Sequence, residues 1–107
     1  MSGGKYPLKL KDPGATLEYP FGLADELSPG RSIAVAVVTI ADNDTLNPES
    51  PVQLSSLQTD IVGTDVVPWL TGGTPGKTYR VTCRYTDDAT PTARIDERTM
   101  LIRVTNL

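Results

Sequence analysis

At 107 residues, with 10 basic and 13 acidic side chains and a formal charge of −3, the chain is the size of one ordinary domain and has no basic surplus for a broad phosphate-binding face. It has no histidine and a single cysteine, Cys83. That excludes a Ser–His–acid or Cys–His nucleophile, a structural zinc site and an internal disulfide within one chain.

Residues 1–5 are expected to form a flexible arm, and residues 6–107 one domain. Tyr6 to Lys11 alternates weakly and reads as an edge strand, ended by the turn Asp12-Pro13-Gly14. Ala15 to Phe21 is the first convincing strand, with Leu17, Tyr19 and Phe21 on one face. Pro20 removes a backbone donor, which places this strand at an edge or marks its end. Gly22 to Leu27 reads as one helical turn, with Leu23 and Leu27 covering one end of the core.

Ser32 to Ala41 is a long strand. Ile33, Val35 and Val37 take one side; Ala34, Ala36, Val38 and Ile40 take the other. The large residues change side at Val38. Either a β-bulge near Val37 and Val38 causes this, or a neighbouring subunit covers the strand on both faces. Asp42 to Pro51 is loop. Its Asp42-Asn43-Asp44 has the alternating oxygens of a calcium ligand set but lacks the rest of a calcium loop, so turn-forming residues are the simpler reading. Gln53 to Ile61 is polar, a short strand or two.

The best-patterned stretch is Val66 to Tyr85. One strand ends near Leu70, with Trp69 expected in the core and its indole N–H needing a partner. Gly72, Gly73, Pro75 and Gly76 then turn the chain. In the strand that follows, Tyr79, Val81, Cys83 and Tyr85 share the apolar side, while Arg80 and Arg84 point away. Cys83 is accordingly expected to be a buried thiol. Tyr79 stands just after the turn. Either its hydroxyl bonds nearby backbone and staples the connection, or it is a plain core tyrosine. After the turn Asp87 to Thr92, Arg94 to Thr105 closes the chain, with Met100, Ile102 and Val104 entering the core.

The remaining catalytic candidates are the carboxylates Asp42, Asp44, Asp87, Asp88, Asp96 and Glu97, and most lie in turns. LTGGTPGK lacks the spacing of a phosphate-binding loop and joins two strands. No enzyme activity and no cofactor or metal is expected. The start, MSGGKYPLKL, has no apolar stretch of the kind an export signal needs, and Ile33 to Ala41 is far short of a membrane span. Neither membrane nor nucleic acid is an expected partner. About seven strands with turn signals every 8–12 residues or so predict an all-β, antiparallel two-sheet sandwich; a small closed barrel is the alternative.

Two resemblances add to this reading. Leu70, Pro75, Thr78 and Tyr79 resemble the strand–turn–strand corner of fibronectin type III and related immunoglobulin-like domains. Most of the chain resembles small virion structural proteins of tailed bacteriophages. The residues that carry this likeness are Asp12, Pro13, Leu17, Glu18 and Tyr19, the loop helix Phe21 to Leu27, and Trp69-Leu70-Thr71-Gly72-Gly73-Thr74. The Gly76-to-Tyr79 step and Asp96-Glu97-Arg98, followed by Ile102 to Val104, complete it.

The resemblance implies an immunoglobulin-like sandwich built into a virion and assembled in the host cytoplasm. The expected role is a capsid decoration or cement protein. The alternatives are a head–tail collar, neck or tail component, or an immunoglobulin-like surface-binding module. Expected partners are the major capsid protein or other virion proteins, with the chain itself a dimer or trimer. Tyr6, Leu8, Leu10, Arg80 and Arg84 are the interface candidates, although the first three also suit an ordinary first strand. Leu17, Tyr19, Trp69, Tyr79, Val81, Cys83, Ile102 and Val104 are the expected core.

Overall fold

A computed structural model of the protein describes residues 6–27, 29–44, 46, 48–88 and 92–107. The arm expected over residues 1–5 lies outside the described residues. Among the described residues eight strands run in chain order: β1 (Leu8–Lys11), β2 (Thr16–Glu18), β3 (Phe21–Gly22), β4 (Ile33–Asp42), β5 (Leu54–Val62), β6 (Asp65–Gly72), β7 (Thr78–Asp87) and β8 (Ile95–Val104). One 3-10 turn, Ala24–Glu26, follows β3.

The strands form two sheets. The first has the order β1-β8-β7-β4. In the second, β6 is central. Every residue from Asp65 to Gly72 finds a partner along β5, which bulges between Ser56 and Gln58, so β2 and β3 lie on the other edge of β6. This is a two-sheet, all-β sandwich with the strand grouping of an immunoglobulin-like fold. All pairings are antiparallel except β1 with β8, where the first and last strands run the same way.

β2 and β3 are one strand interrupted at Pro20. Leu17 faces Leu70 and Phe21 faces Val66, so the register is unchanged across the break. Tyr19 between them is buried, and its N–H still donates to the Pro68 carbonyl at 3.0 Å. Leu17, expected in the core, is 47% exposed. It shares the face of Leu70, but it sits on the outermost strand, where little closes over it.

The core is built from alternate residues of facing strands. Tyr79, Val81, Cys83 and Tyr85 of β7, Met100, Ile102 and Val104 of β8, and Val66 and Leu70 of β6 are all buried. Each such side chain contributes roughly 1.5–3 kcal/mol by leaving water. Leu23 and Leu27 flank the 3-10 turn and are buried at one end of this core. Above them Arg98 of β8 pairs with Glu26, and Arg94 donates to the Glu26 carbonyl at 3.0 Å.

Trp69 is not in this core. Val66, Pro68 and Leu70 take the inward face of β6, so Trp69 falls on the outward one, half-buried. Its indole N–H donates to Asp60 on β5 at 3.2 Å. The β-bulge in β4 also differs from expectation. It lies between Ile33 and Val35, not near Val37 and Val38. One residue of slip there turns Ile33 inward with Ala36, Val38 and Ile40, and sends Val35 and Val37 outward.

At the opposite end of the sandwich, side chains tie the loops together. Lys11 is fully buried, and its ammonium donates to the carbonyls of Asp12 (2.9 Å) and Gly72 (2.8 Å). Gly73 has φ +104°, and a Cβ there would lie 2.5 Å from Val104 Cγ2, so the close approach of this turn to β8 requires glycine.

Candidate protein interface

Alternation puts one row of each strand of the first sheet on its outer face, and the register places those rows side by side. Leu8 of β1 lies beside Leu101 of β8, which lies beside Arg80 of β7, which lies beside Ala41 of β4. Leu10 adjoins Arg103. Farther along, Glu97, Arg84 and Val37 form a second row, and Ile95, Thr86 and Val35 a third.

All five interface candidates expected from the sequence belong to this face. Leu8, Leu10, Arg80 and Arg84 are on it by register, and the Arg80 guanidinium lies over the Tyr6 ring at 6.0 Å. The structure adds Val35, Val37, Ile95 and Arg103, which the sequence reading did not single out as contacts. Leu8, Leu10, Val35, Val37 and Ile95 are each more than half exposed. A face of these strand lengths and spacings covers roughly 500 Å². That is a large share of the ~800 Å² each partner presents in a standard interface.

The face is also locally basic. Arg80, Arg84 and Arg103 stand against Glu97 alone, although the whole chain is acidic. Arg84 and Glu97 approach to 3.9 Å and are both largely exposed, so the pair is worth little in water. Arg80 donates to Asn43 at 2.9 Å and Arg103 to the Thr78 hydroxyl at 3.3 Å, which spreads both guanidinium groups over the sheet. Exposed leucine, valine and arginine on a flat β surface suit contact with another protein.

The other polar cluster fastens the fold. Both oxygens of Asp42 are used: Oδ1 accepts the Asp44 N–H at 2.6 Å and Oδ2 the Glu49 N–H at 2.5 Å. The Asp44 N–H bond leads the effects holding the Asp42 carboxyl below its ordinary range, and Lys77 lies 3.6 Å away. This is the turn-forming use of the Asp42-Asn43-Asp44 segment. Glu49 accepts from Gln53 N–H, the Thr74 hydroxyl and the Tyr79 hydroxyl. Burial pushes the Glu49 carboxyl up, but those donors more than offset it, and the group ends below its ordinary value. Among the described residues, no group of three or more Asp, Glu, Cys or His side chains could hold a metal ion.

A depression of about 270 Å³ lies between the β1 and β3 edges, over Phe21, Leu23 and Met100. It falls below the ~300–1,000 Å³ usual for a small-molecule site. No helix among the described residues is long and apolar enough to cross a membrane.

The profile of a protein family described as "Podophage GP4 fiber-tail adaptor protein gp77" matches residues 11–103. The chain belongs to this family. The match runs from the end of β1 nearly to the end of β8, and so takes in both sheets. As a member of the fiber-tail adaptor family the protein is a structural, non-catalytic component of a tailed-phage virion, working among other virion proteins. No curated protein matches the chain.

Proposed function

We propose that this protein joins a fibre to the tail of a podophage particle, and that the outer face of the β1-β8-β7-β4 sheet is one of its docking surfaces. The observation that carries the reading is the coincidence of two things. The family is described as a fiber-tail adaptor, and one broad sheet face is apolar and arginine-bearing in a chain that is otherwise acidic. A joint of this kind needs rigidity and two surfaces, with no reactive group. The partner surface complementary to this face is apolar with carboxylates at its rim.

The tail station replaces capsid decoration as the preferred role, because the family description supports a fibre–tail position and nothing in the sandwich favours a shell lattice over it. A glycan- or cell-binding module is also less well supported. Tyr19, Phe21, Tyr79 and Tyr85 are buried, and Trp69 lies half-buried against β5, which leaves no exposed aromatic platform among them.

Virions assembled with Leu8→Asp/Leu101→Asp in this protein test the proposal. Both positions lie on the outer face, so the sandwich itself should stay folded. The expected particles keep filled heads, lose fibres and adsorb poorly. Fully fibred particles would overturn the docking surface. Finding the wild-type protein spread over the capsid shell would overturn the station.

A further inference from the structure

We infer that the outer face of the second sheet, around Trp69, is the adaptor's other docking surface. Its occupant is a basic protein surface, one carrying arginine or lysine beside an apolar projection. The inference rests on the fibre–tail reading for its need of two partners, and on the residues of this sheet for its chemistry.

The two sheets differ in charge. β2, β3, β5 and β6 contain no lysine or arginine, and their charged side chains are Glu18, Asp60 and Asp65. Val66, Pro68 and Leu70 face the core, so Asp65, Val67 and Trp69 form the outward row of β6. Register sets Glu18 and Gln58 on either side of Trp69, Asp60 beside Val67, and Val62 beside Asp65. The three carboxylates therefore share one face. Among the described residues, no ion pair reaches any of them. The opposite face of the sandwich carries Arg80, Arg84 and Arg103 against Glu97. Charges of opposite sign thus stand on opposite sides of the molecule.

An apolar seat lies among the carboxylates. Where β5 bulges between Ser56 and Gln58, the extra residue, Leu57, is 64% exposed. A depression of about 270 Å³ opens between Leu57, Gln58 and Trp69. The indole is half-buried and its N–H is tied to Asp60, so Trp69 is a fixed wall of this depression rather than a flat platform. The Gln58 amide donates to the same carboxylate at 3.1 Å and holds a second wall. A pre-formed hollow with rigid walls suits one projecting side chain of a partner. Val62, also exposed, extends the apolar surface along β5.

Charge identifies the occupant. An apolar face rimmed by carboxylates attracts basic surfaces and repels acidic ones, which sets both the encounter rate and the choice of partner. The arginine-bearing face makes the converse choice. The two partners of the joint are then told apart by charge, and the adaptor has a defined polarity between them. A second copy offering its arginine face is the competing occupant. It is disfavoured because each copy carries a net −3, so that copies repel one another as whole bodies.

The test titrates the purified full chain separately with free fibres and with fibreless tails assembled without it. Wild type is expected to bind both. Glu18→Lys reverses a charge that has no ion-pair partner in the fold, and Leu57→Lys puts a like charge into the depression. Each should weaken binding to one component about 10-fold or more and leave the other unchanged. Leu8→Asp/Leu101→Asp, on the first sheet, should do the reverse. Glu18→Gln removes the charge without reversing it; it should weaken the same component less, and it serves should the lysine variant fail to fold. Asp25→Lys, the same change of charge at an exposed position off this face, should bind both components as wild type does. Added salt should weaken the wild type more than Glu18→Lys at the affected component. Undiminished binding of both components by the Glu18 and Leu57 variants overturns this inference and leaves the fibre–tail reading standing. So does loss of one and the same component by the variants of both faces. Wild type that binds only one component, or neither, overturns that reading and this inference with it. Self-association of the wild type in sedimentation, abolished by Glu18→Lys, would assign the face to a second copy and overturn the inference too.

Discussion

The Tyr79 hydroxyl accepts the Thr74 N–H at 2.8 Å and donates to Glu49 at 2.5 Å, so one phenol holds the β6–β7 turn and the β4–β5 loop together. The ring is fully buried beneath that turn. Tyr79→Phe keeps the ring, strands the Thr74 amide and removes one of the donors to the Glu49 carboxylate. It should destabilise the fold by about 1–3 kcal/mol, read as a lower midpoint in urea at unchanged slope.

Tyr85, six residues further along the same strand, should behave in the opposite way. Its hydroxyl is buried with no hydrogen-bond partner among the described residues. Tyr85→Phe therefore removes a desolvated polar group and leaves nothing newly stranded. The expected result is unchanged stability or a gain of up to about 1 kcal/mol. Measured by the same urea titration, the two substitutions differ in sign or nearly so, although the chemical change is identical.

Acid should loosen the same corner. Glu49 is lowered from its ordinary 4.5 and Asp42 from its ordinary 3.8. Groups depressed in the folded state contribute stability above their unfolded values, and that contribution is lost as pH falls through the folded ones. Stability should hold steady above about pH 5 and decline progressively below pH 4.5. Glu49→Gln should lower stability at neutral pH and flatten the upper part of that decline. Thermal unfolding from pH 7 to pH 3 checks both.

Burial raises the Cys83 thiol to about 11. At pH 8 roughly one molecule in a thousand then carries a thiolate. Native protein should resist a thiol-reactive chromophore at pH 8 for as long as it stays folded, and react at one equivalent in denaturant. Rapid reaction of the native protein would contradict the burial.

Much of the fold could be read from the chain because its strands alternate cleanly. Tyr79 to Tyr85 and Met100 to Val104 show their inward rows without ambiguity, and the Gly/Pro connection shows where β6 must end. Three features were hidden for identifiable reasons. β6 has two apolar rows, Val66-Pro68-Leu70 and Val67-Trp69, and alternation cannot say which faces in. Periodicity likewise fixes the face of Leu17 but not how far the sheet extends over it. Lys11 reads as a solvated edge residue, since nothing local reveals that two carbonyls will replace water around its amine. The interface depended on pairing. Leu8, Leu101 and Arg80 are distant in sequence, and only the parallel β1–β8 and antiparallel β7–β8 registers together make them neighbours.

The most direct test of the central claim is an electron cryo-microscopy reconstruction of the intact particle. The expected map places the sandwich between tail and fibre, with Leu8, Leu10 and Arg80 against a neighbouring chain. A map that puts the sandwich on the capsid shell, or leaves the outer face of the β1-β8-β7-β4 sheet in solvent, would contradict it.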